Sequence, residues 1–93
     1  MILYRYEIGY KSYDNDTEIH LREFAVVEET ERSYCIRPFA RKKWIRKSAY
    51  DAYAHPTKEA AKEHFIRRTS SRISWYEFWL EECKKGLELI KDE

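Results

Sequence analysis

The sequence predicts an α+β fold in which a short antiparallel sheet precedes a long helical segment. Three observations lead to this prediction: alternating apolar and polar residues near the start, a proline–threonine pair typical of a helix start, and a heptad repeat over the last third. A chain of 93 residues corresponds to one domain. We therefore predict a single domain over 1–93, with the sheet over 1–47 and the helical segment over 57–91.

The first strand is predicted over residues 2–10, where the side chains alternate with a period of two. A β-branched or aromatic residue stands at every second position, which is typical of a strand with one buried face. The residues expected on that face are Ile2, Tyr4, Tyr6, Ile8 and Tyr10. The polar residues 12–16 supply the turn of a hairpin.

The second strand is predicted over about residues 18–30. Ile19 and Leu21 share one face, but Phe24 falls on the opposite one. Two explanations stay open: a β-bulge near residues 22–23 resets the register, or both faces of the strand are partly covered.

Two further strands complete the predicted sheet. Residues 31–33 form a turn, and a third strand begins at residues 34–36 and ends before Pro38, which is disfavoured inside a sheet. Residues 43–46 form a fourth short strand, with Trp44 facing the core. These spacings predict a meander of three to four strands.

A helix start is predicted at Thr57, which follows Pro56 and is a suitable N-cap. Glu59 stands in the first turn, where the helix dipole favours an anion. From there to about Lys91 the sequence contains no proline, and its only glycine is Gly86. The helical segment is therefore expected to reach almost the end of the chain.

The helical segment carries a heptad pattern with alternating spacings of three and four residues. Its positions are Ile66, Thr69, Ile73, Tyr76, Leu80, Cys83, Leu87 and Ile90. A second stripe beside it contains Ala61, Phe65, Trp75 and Trp79. The apolar face of this segment is therefore broader than the seam of a two-stranded coiled coil.

A continuous helix of this length would measure about 50 Å, which is more than the predicted sheet can cover. Either the helix breaks at residues 69–71 into two consecutive helices, or it stays whole and its second half pairs with another copy. The unbroken heptad phase favours the whole helix. The predicted homodimer interface contains Ile73, Tyr76, Trp79, Leu80, Cys83, Leu87 and Ile90.

The net charge of +1 conceals a basic block over residues 32–47, which contains seven basic residues and no acidic one. Such a block can contact phosphates or an acidic protein, and interleaved aromatic residues can stack on bases. The predicted contact residues are Arg37, Arg41, Lys42, Lys43, Arg46 and Lys47, extended by Arg67, Arg68 and Arg72 on the helix. The alternative is a solvated edge strand protected by its lysines, with Phe39 and Trp44 in the core.

The sequence contains no recognisable catalytic or metal-binding motif, so we predict that the protein is not an enzyme. Residues 14–18 resemble the opening of a calcium loop, but Ile19 stands where that loop needs glycine. His20, His55 and His64 show no metal-ligand spacing with one another or with either cysteine. We therefore expect no catalytic residue, no metal and no cofactor.

Two isolated cysteines and the lack of any apolar run of about 20 residues favour the cytoplasm, with both thiols reduced and no membrane segment. No secretory signal segment is recognisable either. The expected compartment is therefore the cytoplasm.

Residues 53–68, YAHPTKEAAKEHFIRR, together with the upstream KKW sequence and the tyrosine-rich start, resemble a group of small uncharacterised phage and prophage proteins. That group has tyrosine-rich strands, a basic KKW strand, a PTKEEA-type helix start and a long C-terminal helix. Here Ala60 replaces the second glutamate, and residues 75–79 are unusually aromatic.

The resemblance implies an accessory protein in a bacterial host that binds and inhibits a host protein or ribonucleoprotein complex, of the anti-CRISPR or other anti-defence type. It carries over no catalytic residue. Two alternatives stay open beside it. The basic and aromatic strand could bind nucleic acid or a small nucleotide, or the chain could be a structural homodimer module.

Overall fold

The computed structural model describes residues 1–10 and 16–93, and this part of the chain contains five strands and one long helix. The elements are β1 Ile2–Tyr10, β2 Thr17–Ala25, β3 Glu28–Glu29, β4 Ser33–Ile36, β5 Lys43–Arg46 and α1 Lys58–Lys91. All strand pairs are antiparallel, which confirms the predicted fold class. The strands form two small sheets, β1–β2 and β3–β4–β5, where one meander was expected. Most of the predicted turn and calcium-like run at residues 12–16 lies outside the described residues.

The β1–β2 pair keeps one register from Ile2 opposite Ala25 to Tyr10 opposite Thr17. Of the two explanations left open for β2, the bulge near residues 22–23 is therefore absent from this ladder. The strand ends at Ala25 instead of residue 30. Met1 and Val26 extend the pairing by one backbone hydrogen bond of 2.9 Å. The chain then leaves this sheet and begins the second one.

The predicted buried face of β1 is wrong. Leu3 is fully buried, whereas Ile2, Ile8 and Tyr10 are 40%, 46% and 67% exposed. The core cluster contacts the β1–β2 pair only near Leu3 and its partner Phe24, so the far end of the hairpin extends beyond it. The alternating tyrosines and isoleucines thus line a ribbon with both faces partly covered.

The second sheet supplies the other side of the core through Ile36 and Ile45. The expected inward orientation of Trp44 is wrong, because Ile45 is the buried residue of β5 and Trp44 is 50% exposed. Neighbouring residues of a strand point to opposite faces, so burying one of this pair exposes the other.

The segment between β5 and α1 closes the core and places the helix. Ala52 and Ala54 are buried in the core cluster. His55 and Tyr4 exchange two backbone hydrogen bonds of 2.7 and 2.9 Å, which fix this segment along the free edge of β1. Thr57 then caps α1 by accepting a hydrogen bond of 3.1 Å from the Ala60 amide, as its sequence position predicts.

α1 is one unbroken helix of 34 residues. The predicted whole helix is therefore correct, and the alternative break at residues 69–71 does not occur. Only its first turns pack on the sheets, where Ala61 and His64 are buried. A helix of this length spans about 50 Å.

Candidate binding surfaces

The basic block is partly neutralised within the chain. Lys42 lies 2.8 Å from a carboxylate oxygen of Glu28, and Lys47 lies 2.6 Å from one of Glu29. Both acids stand on β3, which pairs with β4 at the start of the basic block. Exposed ion pairs of this kind contribute roughly 0–1 kcal/mol, so the two lysines stay available to a stronger anionic partner.

The aromatic residues of the basic block lie on the surface and not in the core. Phe39 is 75% exposed and Trp44 is 50% exposed. This corrects the alternative in which both side chains are core residues. Arg37, Arg41 and Arg46 are also exposed, so the block presents both cations and aromatic rings to solvent.

Two of the predicted helix arginines hold the helix against the rest of the chain. Arg67 donates to the Tyr50 carbonyl at 3.2 Å and lies 3.9 Å above the Tyr50 ring. Arg68 donates to the Tyr6 carbonyl at 2.6 Å. Arg72 lies one turn further along and lines a separate groove with Arg68. Arg67 therefore joins the helix to the segment that follows β5, and Arg68 joins it to β1.

The basic strand and the helix meet at a cleft of about 510 Å³, here called the basic cleft. Four cationic residues line it: Arg5 from β1, Lys43 and Arg46 from β5, and Arg68 from α1. Its aromatic lining is Trp44 and Tyr53, its acidic residue is Asp51, and His64 lies at its wall. The structure thus brings Lys43, Arg46 and Arg68 of the predicted set together, whereas Arg37, Arg41, Lys42, Lys47, Arg67 and Arg72 do not line this cleft.

Arg5 is a cleft residue that the sequence did not reveal. Its Nε donates to the Glu7 carboxylate at 2.9 Å, its Nη1 donates to the Tyr53 carbonyl at 2.8 Å, and its guanidinium lies 4.3 Å from the Tyr53 ring centroid. An arginine in the middle of an alternating strand carries no signal that distinguishes it from a solvated one. Its role depends on the loop of Tyr53, which folds over β1 only in the tertiary structure.

His55 and His64 form a buried pair that the sequence analysis did not anticipate. His55 Nε2 lies 2.9 Å from His64 Nδ1, and the rings meet edge to face. The pKa of each ring lies below its ordinary value, chiefly because burial disfavours the charged form. For His64 the nearby Arg68 lowers the pKa further. Both imidazoles are therefore neutral around pH 7.

The second half of α1 forms a protruding surface, here called the helix arm and defined as residues 70–91. Every residue of the arm is exposed. The predicted interface lies on it, with Ile73, Tyr76, Trp79, Leu80, Leu87 and Ile90 between 48% and 64% exposed, and Cys83 is exposed too. The arm is long enough, at about 33 Å, to account for the elongated shape of the protein. The radius of gyration is 18.5 Å, compared with about 12 Å for a compact domain of this length.

Aromatic rings cluster on the arm. The Trp75 ring centroid lies 5.8 Å from that of Phe78 and 5.7 Å from that of Trp79, and Phe78 lies 6.0 Å from Trp79. Each of the three side chains is about half exposed. Contiguous apolar patches of this kind mark interaction sites on soluble proteins.

Within residues 1–10 and 16–93, no group of three or more histidine, cysteine or acidic side chains is placed to hold a metal ion. Over the same residues, no helix combines the length and apolar character that crossing a bilayer requires.

Comparison of the chain with protein-family models, curated proteins and solved structures found no match. The resemblance to small phage proteins therefore depends on the sequence motifs alone, chiefly those of residues 53–68.

Proposed function

We propose that this chain is a non-enzymatic binding protein whose helix arm pairs with the arm of a second copy. The observation that carries this proposal is the exposure of the whole arm. Six heptad side chains, from Ile73 to Ile90, are exposed along about 26 Å of helix. Removing such a stripe from water is the main driving force for helix association.

An antiparallel pair gives the arm a complementary surface. In one register Leu80 faces the partner's Cys83, Tyr76 faces Leu87, and Ile73 faces Ile90. The flanking Glu77 and Lys84 then approach each other across the seam. In an antiparallel coiled coil, a residue at one core position of the heptad packs against a residue at the other core position of the partner, as in these three pairs. Opposite charges beside the seam also favour the antiparallel orientation.

The bulk of the chain also favours the antiparallel pair. The described strands all precede α1, and β1 packs on its first turns. A parallel pair would bring the sheets of the two copies together at the same end of the coiled coil. In the antiparallel pair they lie at opposite ends, and the two helix dipoles oppose each other favourably.

Sedimentation tests the pair directly. At tens of micromolar we expect a species of twice the monomer mass of 11.4 kDa. A single species of 11.4 kDa at that concentration contradicts the proposal.

Cys83 reports the orientation. In the antiparallel register the two Cys83 residues lie in neighbouring layers, about 4.5 Å apart along the axis and not face to face, so under mild oxidation the wild-type chain should cross-link slowly. The Leu80→Cys variant should form one, because its new thiol would face Cys83 of the other copy. Cys35 is fully buried and does not interfere. A wild-type chain that cross-links through Cys83 as fast as the Leu80→Cys variant would indicate parallel arms instead.

We further propose that the dimer binds and inhibits a host macromolecule, a component of a bacterial defence complex. This part is supported by the resemblance to small phage proteins and by the aromatic cluster. At 100° per residue, Trp75 and Phe78 lie about 110–170° around the helix from the heptad seam, so they stay accessible when two arms pair. Exposed tryptophans are frequent hot spots of protein interfaces.

The test compares wild-type protein with a Trp75→Ala, Phe78→Ala double variant as bait in a bacterial lysate. We expect a stoichiometric partner that the variant fails to capture and whose purified activity the wild-type protein inhibits. Capture of the same partner by both proteins, or the lack of any stoichiometric partner, contradicts the proposal that the aromatic cluster binds a host macromolecule. A variant that still dimerises serves as the control for folding of the arm.

A further inference from the structure

The basic cleft is a concave site whose positive charge comes from three different elements. Arg5 on β1, Lys43 and Arg46 on β5, and Arg68 on α1 all line it, and Asp51 is its acidic lining residue. These five side chains sum to a formal charge of +3. A cleft of about 510 Å³ with this charge is suited to a small, compact anion.

Two of the guanidinium groups are already held in place. Arg5 uses two N–H groups, on the Glu7 carboxylate and the Tyr53 carbonyl. Arg68 uses one, on the Tyr6 carbonyl. Since a guanidinium has five N–H donors, each arginine keeps donors for a ligand. Binding to groups that are already ordered costs less side-chain entropy.

The cations are also crowded. The pKa of the Arg68 guanidinium is lowered by burial and by the neighbouring charges of Arg5 and Arg72. Glu7 opposes this effect only in part. Like charges held this close produce a positive potential, and an anion in the cleft would relieve their repulsion.

The histidine pair places a titratable nitrogen at the wall of this cleft. The backbone of Ala52 hydrogen-bonds His55, whose Nε2 contacts His64 Nδ1. If His55 Nδ1–H donates to the Ala52 carbonyl, Nε2 of His55 accepts, and His64 Nδ1–H must donate to it. His64 Nε2 is then a lone-pair acceptor, and it becomes a donor when His64 takes up a proton.

We propose that the basic cleft binds a tetrahedral dianion of the phosphate monoester type, and that His64 takes up a proton when the anion binds. Arg46, Lys43 and the remaining donors of Arg5 and Arg68 hold the anion. The protonated His64 adds a charge-assisted hydrogen bond from Nε2. Trp44, half exposed at the rim, gives the organic part of a monoester a surface on which to stack. This inference does not depend on pairing of the helix arms.

The groups around His64 fix the direction of the pH dependence. Arg5, Arg67, Arg68 and the His55 ring all disfavour its protonated form in the free protein. Lys43, Arg46 and Asp51 line the same cleft. A bound dianion favours the protonated form of His64, so lower pH should strengthen binding of the anion.

Sulfate is the first probe, because it stays a dianion between pH 5 and 8, whereas phosphate titrates in that range. Calorimetric titration of the full chain with sodium sulfate, at an ionic strength held constant with chloride, should give saturable 1:1 binding. We expect the affinity to rise several-fold between pH 8 and 5.5, because the bound anion raises the pKa of His64; a one-unit increase would set a limit of about tenfold at low pH. Binding that does not saturate, or saturable binding that does not change with pH, overturns the proposal.

Matched variants separate the cleft from general positive charge. Arg46→Ala removes an exposed cation of the cleft and should weaken sulfate binding about tenfold. Arg37→Ala removes an exposed cation outside the cleft and should change it less than twofold. If both variants weaken sulfate binding equally, sulfate responds to the overall positive charge and not to the cleft, and the proposal is overturned.

The role of His64 has its own readout. His64→Asn keeps a side-chain amide near the position of Nδ1 but cannot titrate, so it should bind sulfate as the wild type does at pH 8 and lose the gain at pH 5.5. If this variant does not fold, the ring resonances of wild-type His64 serve instead. Sulfate should raise their titration midpoint, and an unchanged midpoint contradicts the coupling.

The class of ligand is tested with adenosine 5′-monophosphate, ribose 5-phosphate and a glutamate decapeptide at pH 7. Both monoesters should compete with sulfate, and the nucleotide should bind several-fold more tightly through Trp44. Tighter binding of the peptide than of either monoester would identify an acidic protein as the partner and overturn the proposal.

Discussion

Nε2 of His55 lies 2.9 Å from Nδ1 of His64, so one buried contact joins the segment before the helix to the second turn of the helix. The backbone of His55 also pairs with Tyr4 on β1. Strand, connecting segment and helix therefore meet at one neutral imidazole pair. Charging either ring would place a cation beside Arg5, Arg67 and Arg68.

This pair predicts a pH-dependent stability. Both histidines have a lowered pKa in the folded chain, so between that pKa and the usual value of about 6.5 the unfolded chain binds more protons. The free energy of unfolding should be constant above about pH 7 and fall below 6.5, by up to about 1.4 kcal/mol per pH unit for each histidine. Urea unfolding from pH 8 to 5 measures this slope.

Replacing His64 with asparagine should flatten the slope, and replacing His20 with glutamine should not. His20 is 48% exposed and contacts Glu18, so it serves as the matched control. An equal change of slope in both variants would assign the pH dependence to general charge.

Thr57→Ala should lower the free energy of unfolding by about 1 kcal/mol, because the Ala60 amide loses its capping acceptor. Urea unfolding followed by circular dichroism measures the change. Thr57→Ser keeps the hydroxyl and should behave like the wild type. A stability loss in the serine variant equal to that in the alanine variant would argue against the cap.

Leu3→Ala should cost about 2–5 kcal/mol, since Leu3 is fully buried in the core cluster. Ile2→Ala, at the neighbouring position that is 40% exposed, should cost less than about 1 kcal/mol. Thermal unfolding of the two variants compares the two faces of β1. The opposite order of stabilities would restore the face that the sequence alternation predicts.

Leu3 also shows why the sequence predicted the strand but not its buried face. The alternation from Ile2 to Tyr10 fixes the period, and hence the strand. It does not determine which face meets the core, because both faces carry apolar or long amphipathic side chains. The choice depends on Ala52 and Ala54, which pack near Leu3 from far along the chain. Such small buried residues give no periodic signal.

Leu80→Glu should convert the proposed dimer into a monomer, because it places two carboxylates at the centre of the apolar seam. Sedimentation measures the mass, and circular dichroism checks that the helix remains. Ser74→Glu adds the same charge about 150° around the helix from the seam and should leave the dimer intact. A dimer that tolerates Leu80→Glu would place its interface elsewhere.

The candidate cleft could be predicted only in part. The density of cations over residues 32–47 pointed to β5, and the helix arginines included Arg68. Arg5 and His64 were missed, because the cleft forms where three elements separated in sequence come together. The sequence also failed to show that two cations of the block are paired. Lys42 forms an ion pair with Glu28, and Lys47 forms one with Glu29.

The rod-like outline of the chain, 59 × 36 × 27 Å, has a hydrodynamic consequence. A molecule this anisometric experiences more friction than a sphere of equal mass. Even a single copy would leave a size-exclusion column early and report an inflated apparent mass. Equilibrium ultracentrifugation, whose result is independent of frictional drag, is therefore the measurement that counts the copies.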